Sequence, residues 1–294
     1  MIEKKSIQNY IRRLKPIPTS FAPAGDLTHD IRCVLFDIYG TLFVSGSGDI
    51  SLAEQDSPQM EEIKFLLAKH EIQKSPRVLL DELHGAVKAR HLELHLKGID
   101  FPEVKIDRIW RQVLQPKDQD SVRQFAAEFE LISNPVYPMP NLADLLSTCR
   151  QKGLLMGIIS NAQFYTPYLF NWFLDSDPVG LGFSPDLIFY SYCFEMAKPT
   201  VALFKMAADK LKEKQIQPAS VLYIGNDMLN DIYPAQKSGF QTALFAGDGR
   251  SLRLRTDDPR CRRLTPDLIV TDLSQLIRHI QSKPEKTNHA EDVI

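Results

Sequence analysis

Four short stretches, far apart in the chain, carry side chains able to do chemistry together. Asp37 closes the apolar run Cys33–Phe36 and is followed by Ile38-Tyr39-Gly40-Thr41-Leu42. Ser160-Asn161 closes a second apolar run, Lys198-Pro199 follows a third, and Gly225-Asn226-Asp227-Met228-Leu229-Asn230-Asp231 follows a fourth. Each stretch lies at or just past the end of an apolar run that reads as a buried strand. Open α/β sheets place their ligands at the carboxyl ends of such strands. A carboxylate, a hydroxyl-amide pair, an ammonium and an acidic turn gathered there could support nucleophilic attack with stabilisation of negative charge.

Taken singly, each stretch has an ordinary structural explanation. An Asp after a strand is a common turn or cap residue, Ser-Asn a helix N-cap pair, Lys-Pro a loop before a helix and Gly-Asn-Asp a turn. It is the ordered set, each member after a strand, that points to a site.

Asp37, Gly40, Thr41 and Leu42, with Ile158-Ile159-Ser160-Asn161, Ala197-Lys198-Pro199 and Ile224 to Asp231, resemble the motifs of the haloacid dehalogenase (HAD) superfamily. The resemblance runs from about Ile31 to Leu276. It implies a Rossmann-like parallel sheet, a helical cap inserted after the first motif, and hydrolysis through an aspartyl-enzyme intermediate. Asp37 would be the nucleophile, Ser160 would offer hydrogen bonds to the transferring group, Asn161 would orient it, and Lys198 would steady the charge. Magnesium would be held by Asp37, the Tyr39 carbonyl and the last motif. There Asn226 takes the place of the usual first acid, Asp231 is the later one, and Asp227 stands close by as an outer or substitute ligand.

Two departures divide the implied chemistry. Tyr39 stands where phosphatases of the family carry the Asp that protonates the leaving oxygen, and a phenol with an ordinary pKa near ~10 is a poor substitute. Tyrosine there resembles the dehalogenase branch, whose halide leaving group needs neither proton nor metal. Yet Phe204 stands where that branch has a tyrosine, and Gly225-Asn226-Asp227 replaces its serine-rich fourth motif. Asn226, a neutral oxygen donor, weakens magnesium binding without excluding it. The leading expectation is a magnesium-dependent phosphatase of a small phosphorylated metabolite. A metal-free 2-haloacid dehalogenase is the rival, and a HAD-fold binding or scaffold protein without turnover stays open.

The elements that must position these residues alternate. Strands are expected at Cys33–Phe36, 154–159, 187–193, 221–224, 242–245 and Leu268–Val270, with helices at 142–152, 165–174, 200–211, 231–238 and 274–280. Such alternation predicts a doubly wound α/β core over 31–45 and 135–282. Between its two parts, 46–134 reads as four helices, the implied cap, entered through a flexible Ser-Gly-Ser-Gly at 45–48. Residues 1–30 read as an arm outside the fold, with a short basic helix at 6–14, and 283–294 as a disordered tail.

Composition narrows the partners. With 44% hydrophobic and 24% charged residues and a formal net charge of −2, nothing draws the 294-residue chain to nucleic acid or anionic membrane. A small soluble molecule is the expected partner. Four unpaired cysteines, with neither a signal peptide nor a membrane-length apolar run, point to the cytoplasm. His84, His91 and His95 share an arc of the second cap helix; His91 and His95 could bridge zinc but lack a third ligand, so a solvated or site-facing stripe is expected. Six arginines between 250 and 263 read as a solvated loop rather than an anion site.

Overall fold

The computed structural model describes residues 2–46, 58–115 and 118–280. Among the described residues nine strands appear in chain order: β1 (Ala24–Gly25), β2 (Cys33–Phe36), β3 (Phe43–Ser45), β4 (Val136–Pro138), β5 (Leu155–Ser160), β6 (Phe183–Tyr190), β7 (Val221–Gly225), β8 (Gln241–Phe245) and β9 (Leu268–Val270). Seven form one sheet in the order β1-β9-β8-β7-β2-β5-β6, parallel throughout except for β1 against β9.

Strand β2 is central, and its four side chains are fully buried because both faces are covered. Successive side chains alternate between faces. Val34 and Phe36 join the larger apolar cluster, while Cys33 and Leu35 join the one under Leu203, Phe204 and Tyr223. Register decides the rest. Phe36 lies level with Ile158 on β5 and with Ile224 on β7; β7 ends one residue and β5 two residues beyond that level. The residues that follow them, Asp37, Asn161 and Asn226, therefore emerge on one edge of the sheet.

The helices are α1 (Lys4–Ile7), α2 (Pro58–Lys69), α3 (Pro76–Leu96), α4 (Ile106–Leu114), α5 (Gln119–Ser133), α6 (Leu142–Gln151), α7 (Thr166–Leu174), α8 (Ser191–Phe194), α9 (Ala202–Glu213), α10 (Tyr233–Lys237) and α11 (Leu273–His279). Four of them, α2 to α5, intervene between β3 and β4. Those strands pair with each other, Phe43 opposite Pro138, so the chain leaves and rejoins the core through one two-stranded ribbon. Ser75 caps α3 through the Val78 amide with Pro76 at its first position, and Asp118 caps α5. Inside these helices Trp110 meets Phe125 and Phe129 edge-on, with ring centroids 5.0 and 4.8 Å apart.

Several expectations need correction. The amino-terminal segment is not a solvated arm. Ile7 is fully buried, Trp172 Nε1 donates to the Ile2 carbonyl, Tyr10 donates to Glu128 on α5, and the Ile17 amide donates to Asp248. Its charges face outward while its few apolar residues dock, a pattern too sparse for periodicity to reveal. The helix expected at 6–14 is only α1 and a 3-10 turn at Gln8–Tyr10. Ala24–Gly25, inside the expected arm, is a strand too short to leave a pattern.

The strand expected at 187–193 begins four residues earlier and stops at Tyr190. It is an edge strand, where Pro185 and Asp186 are tolerated because one side faces solvent. The helix expected at 231–238 is a π-helical turn, Met228–Ile232, followed by α10. The stretch 45–48, expected to be flexible, lies partly outside the described residues, and the tail 283–294, expected to be disordered, lies wholly outside them. Among the described residues no helix is long and apolar enough to cross a membrane.

Candidate active site

Asp37 is fixed at the end of β2 by its amide, which donates to the Ile224 carbonyl. The Lys198 ammonium lies 2.7 Å from Asp37 Oδ1 and 2.5 Å from Asp231 Oδ1, with its side chain 3% exposed. Sequence positions 161 residues apart thus meet. The second and third stretches are tied directly: the Lys198 amide donates to Asn161 Oδ1 at 2.7 Å. Tyr223, on β7, completes the network by donating to the Ile159 carbonyl and standing 3.2 Å from Lys198 Nζ. Burial alone would lower the Lys198 pKa, but Asp231 and Asp37 outweigh it and raise it, so the ammonium stays charged. Burial raises Asp231, with Lys198 opposing and Asp37 adding to the rise.

Asp231 reaches Lys198 because nothing projects from Gly225. A Cβ there would lie 2.2 Å from Asp231 Cγ. Gly225→Ala is expected to push Asp231 aside and reduce turnover about a hundredfold, read from steady-state kinetics. Unchanged turnover would show that Asp231 needs no fixed position.

The remaining predicted residues are placed differently. Thr41 and Ser160 are fully buried and do not line the cleft over Asp37. Thr41 Oγ1 donates to Asn226 Oδ1 at 3.1 Å, and Asn226 Nδ2 donates to the Ser251 carbonyl at 2.6 Å, which locks the amide. Ser160 Oγ makes only a long 3.4 Å contact with the Asn161 carbonyl. Gly40 turns the chain at φ +78°, where a Cβ would strike Ser251. The Tyr39 hydroxyl pairs with Thr166 at 2.9 Å. Burial, reinforced by Glu130, raises its pKa and keeps the phenol protonated.

Asp227 caps the π-helical turn through the amides of Leu229 and Asn230 and receives the Arg255 guanidinium in a forked pair. Asp231 already accepts from Lys198 and the Asp227 amide, and the Tyr223 hydroxyl lies 3.0 Å from its Oδ1. Among the described residues no three His, Cys, Asp or Glu side chains converge to hold a metal. Magnesium would fall to Asp37, the Tyr39 carbonyl and Asn226 Oδ1, the last while it also accepts from Thr41. That set suits an ion that takes one or two carboxylates and completes its shell with water and substrate phosphate.

The cleft has a volume of about 500 Å³. Besides Asp37, Asn161, Lys198 and the 226–231 turn, it is lined by residues that motif reasoning did not single out. Glu103 and Glu130 come from the helical segment. Arg253 and Arg255 belong to the arginine loop expected to be solvated. The signal for the arginines was their clustering; the glutamates left none, being ordinary acids in ordinary helical sequence. His84 and His91, but not His95, line an adjoining apolar cavity.

Glu103 accepts from the Val104 amide, Gln163 and Ser191, yet burial pushes its carboxyl up to about 7. A folded-state value above the ordinary 4.5 means the cost of ionising Glu103 grows as pH rises from about 5 and is complete above about 7. Glu103→Gln is therefore expected to stabilise the fold by up to roughly 3 kcal/mol at about pH 8 and little at about pH 5. Thermal melts at both values check this; equal effects at both would contradict it.

A model of haloacid dehalogenase-like hydrolases matches residues 31–239. No curated protein matches the chain. Among solved structures, 2-haloacid dehalogenase from Pseudomonas syringae pv. tomato DC3000 is similar at 20% identity and TM-score 0.52, over 85% of this chain and 98% of that one. A predicted phosphoglycolate phosphatase from Haemophilus somnus 129PT is similar at 15% identity and TM-score 0.47, over 86% and 100%. L-2-haloacid dehalogenase from Xanthobacter autotrophicus is similar at 18% identity and TM-score 0.48, over 86% and 99%. The first of these supports the α/β fold.

Proposed function

The chain belongs to the haloacid dehalogenase-like hydrolase family, and from that premise we propose that it hydrolyses a small phosphate monoester through a covalent intermediate on Asp37. The observation that carries the reading is the cationic setting of this carboxylate. Lys198 bonds Asp37 directly, and Arg253 and Arg255 stand on the same cleft wall. Arg253 is held through main-chain carbonyls of Arg250 and Leu252, with no carboxylate of the described residues among its bonds, so its charge can serve an anion.

In the first step an Asp37 oxygen attacks phosphorus, and the bond to the ester oxygen breaks with its electron pair on that oxygen, which takes a proton from solvent water. Water then attacks the phosphorus of the acyl phosphate and gives up a proton to solvent, releasing phosphate and restoring the carboxylate. Lys198 keeps Asp37 ionised and offsets charge building on the phosphoryl oxygens. Asn161 orients Lys198 through its amide bond. Magnesium, where bound by Asp37, the Tyr39 carbonyl and Asn226, supplies further positive charge at the phosphoryl oxygens.

Tyr39 supports a second reading, attack on the halogen-bearing carbon of a 2-haloacid. There the C–X electron pair leaves with the halide, which needs no proton, and a phenol engaged with Thr166 would suffice. Purified protein assayed with aryl and alkyl phosphates and with 2-haloacids, before and after chelation, separates the two. Phosphate release that falls to background with chelator and returns with magnesium is expected. Halide release that survives chelation would overturn the phosphatase reading.

A further inference from the structure

The cleft over Asp37 adjoins a second cavity of about 280 Å³, lined mainly by the helical segment. The two share four residues, Glu103, Glu130, Gln163 and Tyr165, which form a polar collar between them. Beyond the collar the walls are apolar, built from Leu83, Val87, Val104, Ile106, Trp110 and Phe129. His84 and His91 also line this chamber; burial and then His95 lower the His91 pKa, favouring a neutral imidazole. Cavities of roughly 150 Å³ hold benzene, so the chamber has room for an aryl ring or a branched alkyl group.

The collar holds two carboxyl groups with no cation among the described residues bonded to either. Glu103 is bonded by the Val104 amide, Gln163 and Ser191, and Glu130 by Tyr165 and, at 3.3 Å, by Asn134. Every one of these partners is neutral. Elsewhere in the helical segment enclosed acids are paired, as Glu128 is with Lys69. An enclosed carboxylate lacking a counter-charge is costly, and burial raises the pKa of both groups. A ligand cation at the collar removes that cost.

We propose that the substrate carries an ammonium group between its reacting end and an apolar body, with the ammonium held at Glu103 and Glu130 and the body in the chamber behind them. This rests on the cleft at Asp37 being the hydrolytic site proposed above. The class is an arylalkyl or branched alkyl amine bearing the ester, rather than a sugar phosphate or a short acid. Tyr165 and Gln163 complete the collar: the phenol already donates to Glu130, and the amide to Glu103.

The test is calorimetric titration of the full-length protein at about pH 8 with phenethylamine, phenethyl alcohol and phenylacetate, a cationic, a neutral and an anionic isostere. The amine is expected to bind about tenfold more tightly than the alcohol, with the carboxylate weakest. Glu103→Gln and Glu130→Gln are each expected to erode that preference. Equal binding of the three, no binding of the amine, or a preference that survives both substitutions overturns the proposal. The wild-type comparison stands even where a variant fails to fold. Selective amine binding without hydrolysis of any phosphate ester would support the collar and sink the phosphatase reading. Ester hydrolysis with equal binding of the isosteres would do the reverse.

Discussion

Turnover by Asp37→Asn is expected to fall by on the order of ten-thousand-fold, while the fold survives. The amide keeps the shape of the carboxylate at the end of β2 but is far too weak a nucleophile to open an ester or a carbon–halogen bond. Stability changes little because Lys198 keeps its second carboxylate, Asp231, and the main-chain anchor from residue 37 to Ile224 is untouched. The measurement is single-turnover kinetics together with mass spectrometry of protein quenched during turnover, where an adduct on Asp37 should appear in the wild type and vanish in the variant. A variant that keeps its activity would place the nucleophile elsewhere. A wild type that shows neither adduct nor turnover would favour a protein that binds through this fold without catalysing.

Lys198→Met should be the most destabilising single change at the site, at about 3–5 kcal/mol. The Lys198 ammonium is enclosed between two carboxylates, and an apolar side chain of similar length leaves Asp37 and Asp231 facing each other without a cation. The raised Asp231 pKa shows how the protein would respond, by taking up a proton there. Adding Asp231→Asn to Lys198→Met should therefore recover part of the loss, a coupling of about 1–3 kcal/mol in a double-mutant cycle. Urea denaturation of the four proteins measures it. Strictly additive effects would mean that the ion cluster is not a unit. Turnover of the Lys198→Met protein is expected to drop by at least about a hundredfold, since the cation next to the nucleophile is gone.

The central strand Cys33–Phe36 was legible because a strand covered on both faces must be apolar at every position. β9 at Leu268–Val270 was legible for the same reason. The three- and two-residue strands at Phe43–Ser45 and Ala24–Gly25 were not, because alternation needs more residues than they contain. The site divides along a similar line. Asp37, Asn161, Lys198 and Asp231 could be named because each follows a strand and the four form an ordered set. Arg255 could not be assigned, because its clasp on Asp227 depends on how the loop after β8 folds back. Tyr223 was hidden inside an apolar strand, where an aromatic residue reads as core, although its hydroxyl joins the ion cluster.

By itself the sequence determined the α/β core, the order of its main strands and the identity of the charged residues at their ends, because burial and turn chemistry are written locally. Only the tertiary structure decided that the ammonium of Lys198 bridges two carboxylates, that the basic amino-terminal segment docks against both the helices and the core, and that Glu103 and Glu130 line both the cleft and the apolar chamber beside it. Those arrangements follow from strand register and helix packing, which bring together residues distant in the chain, and no local pattern encodes such contacts.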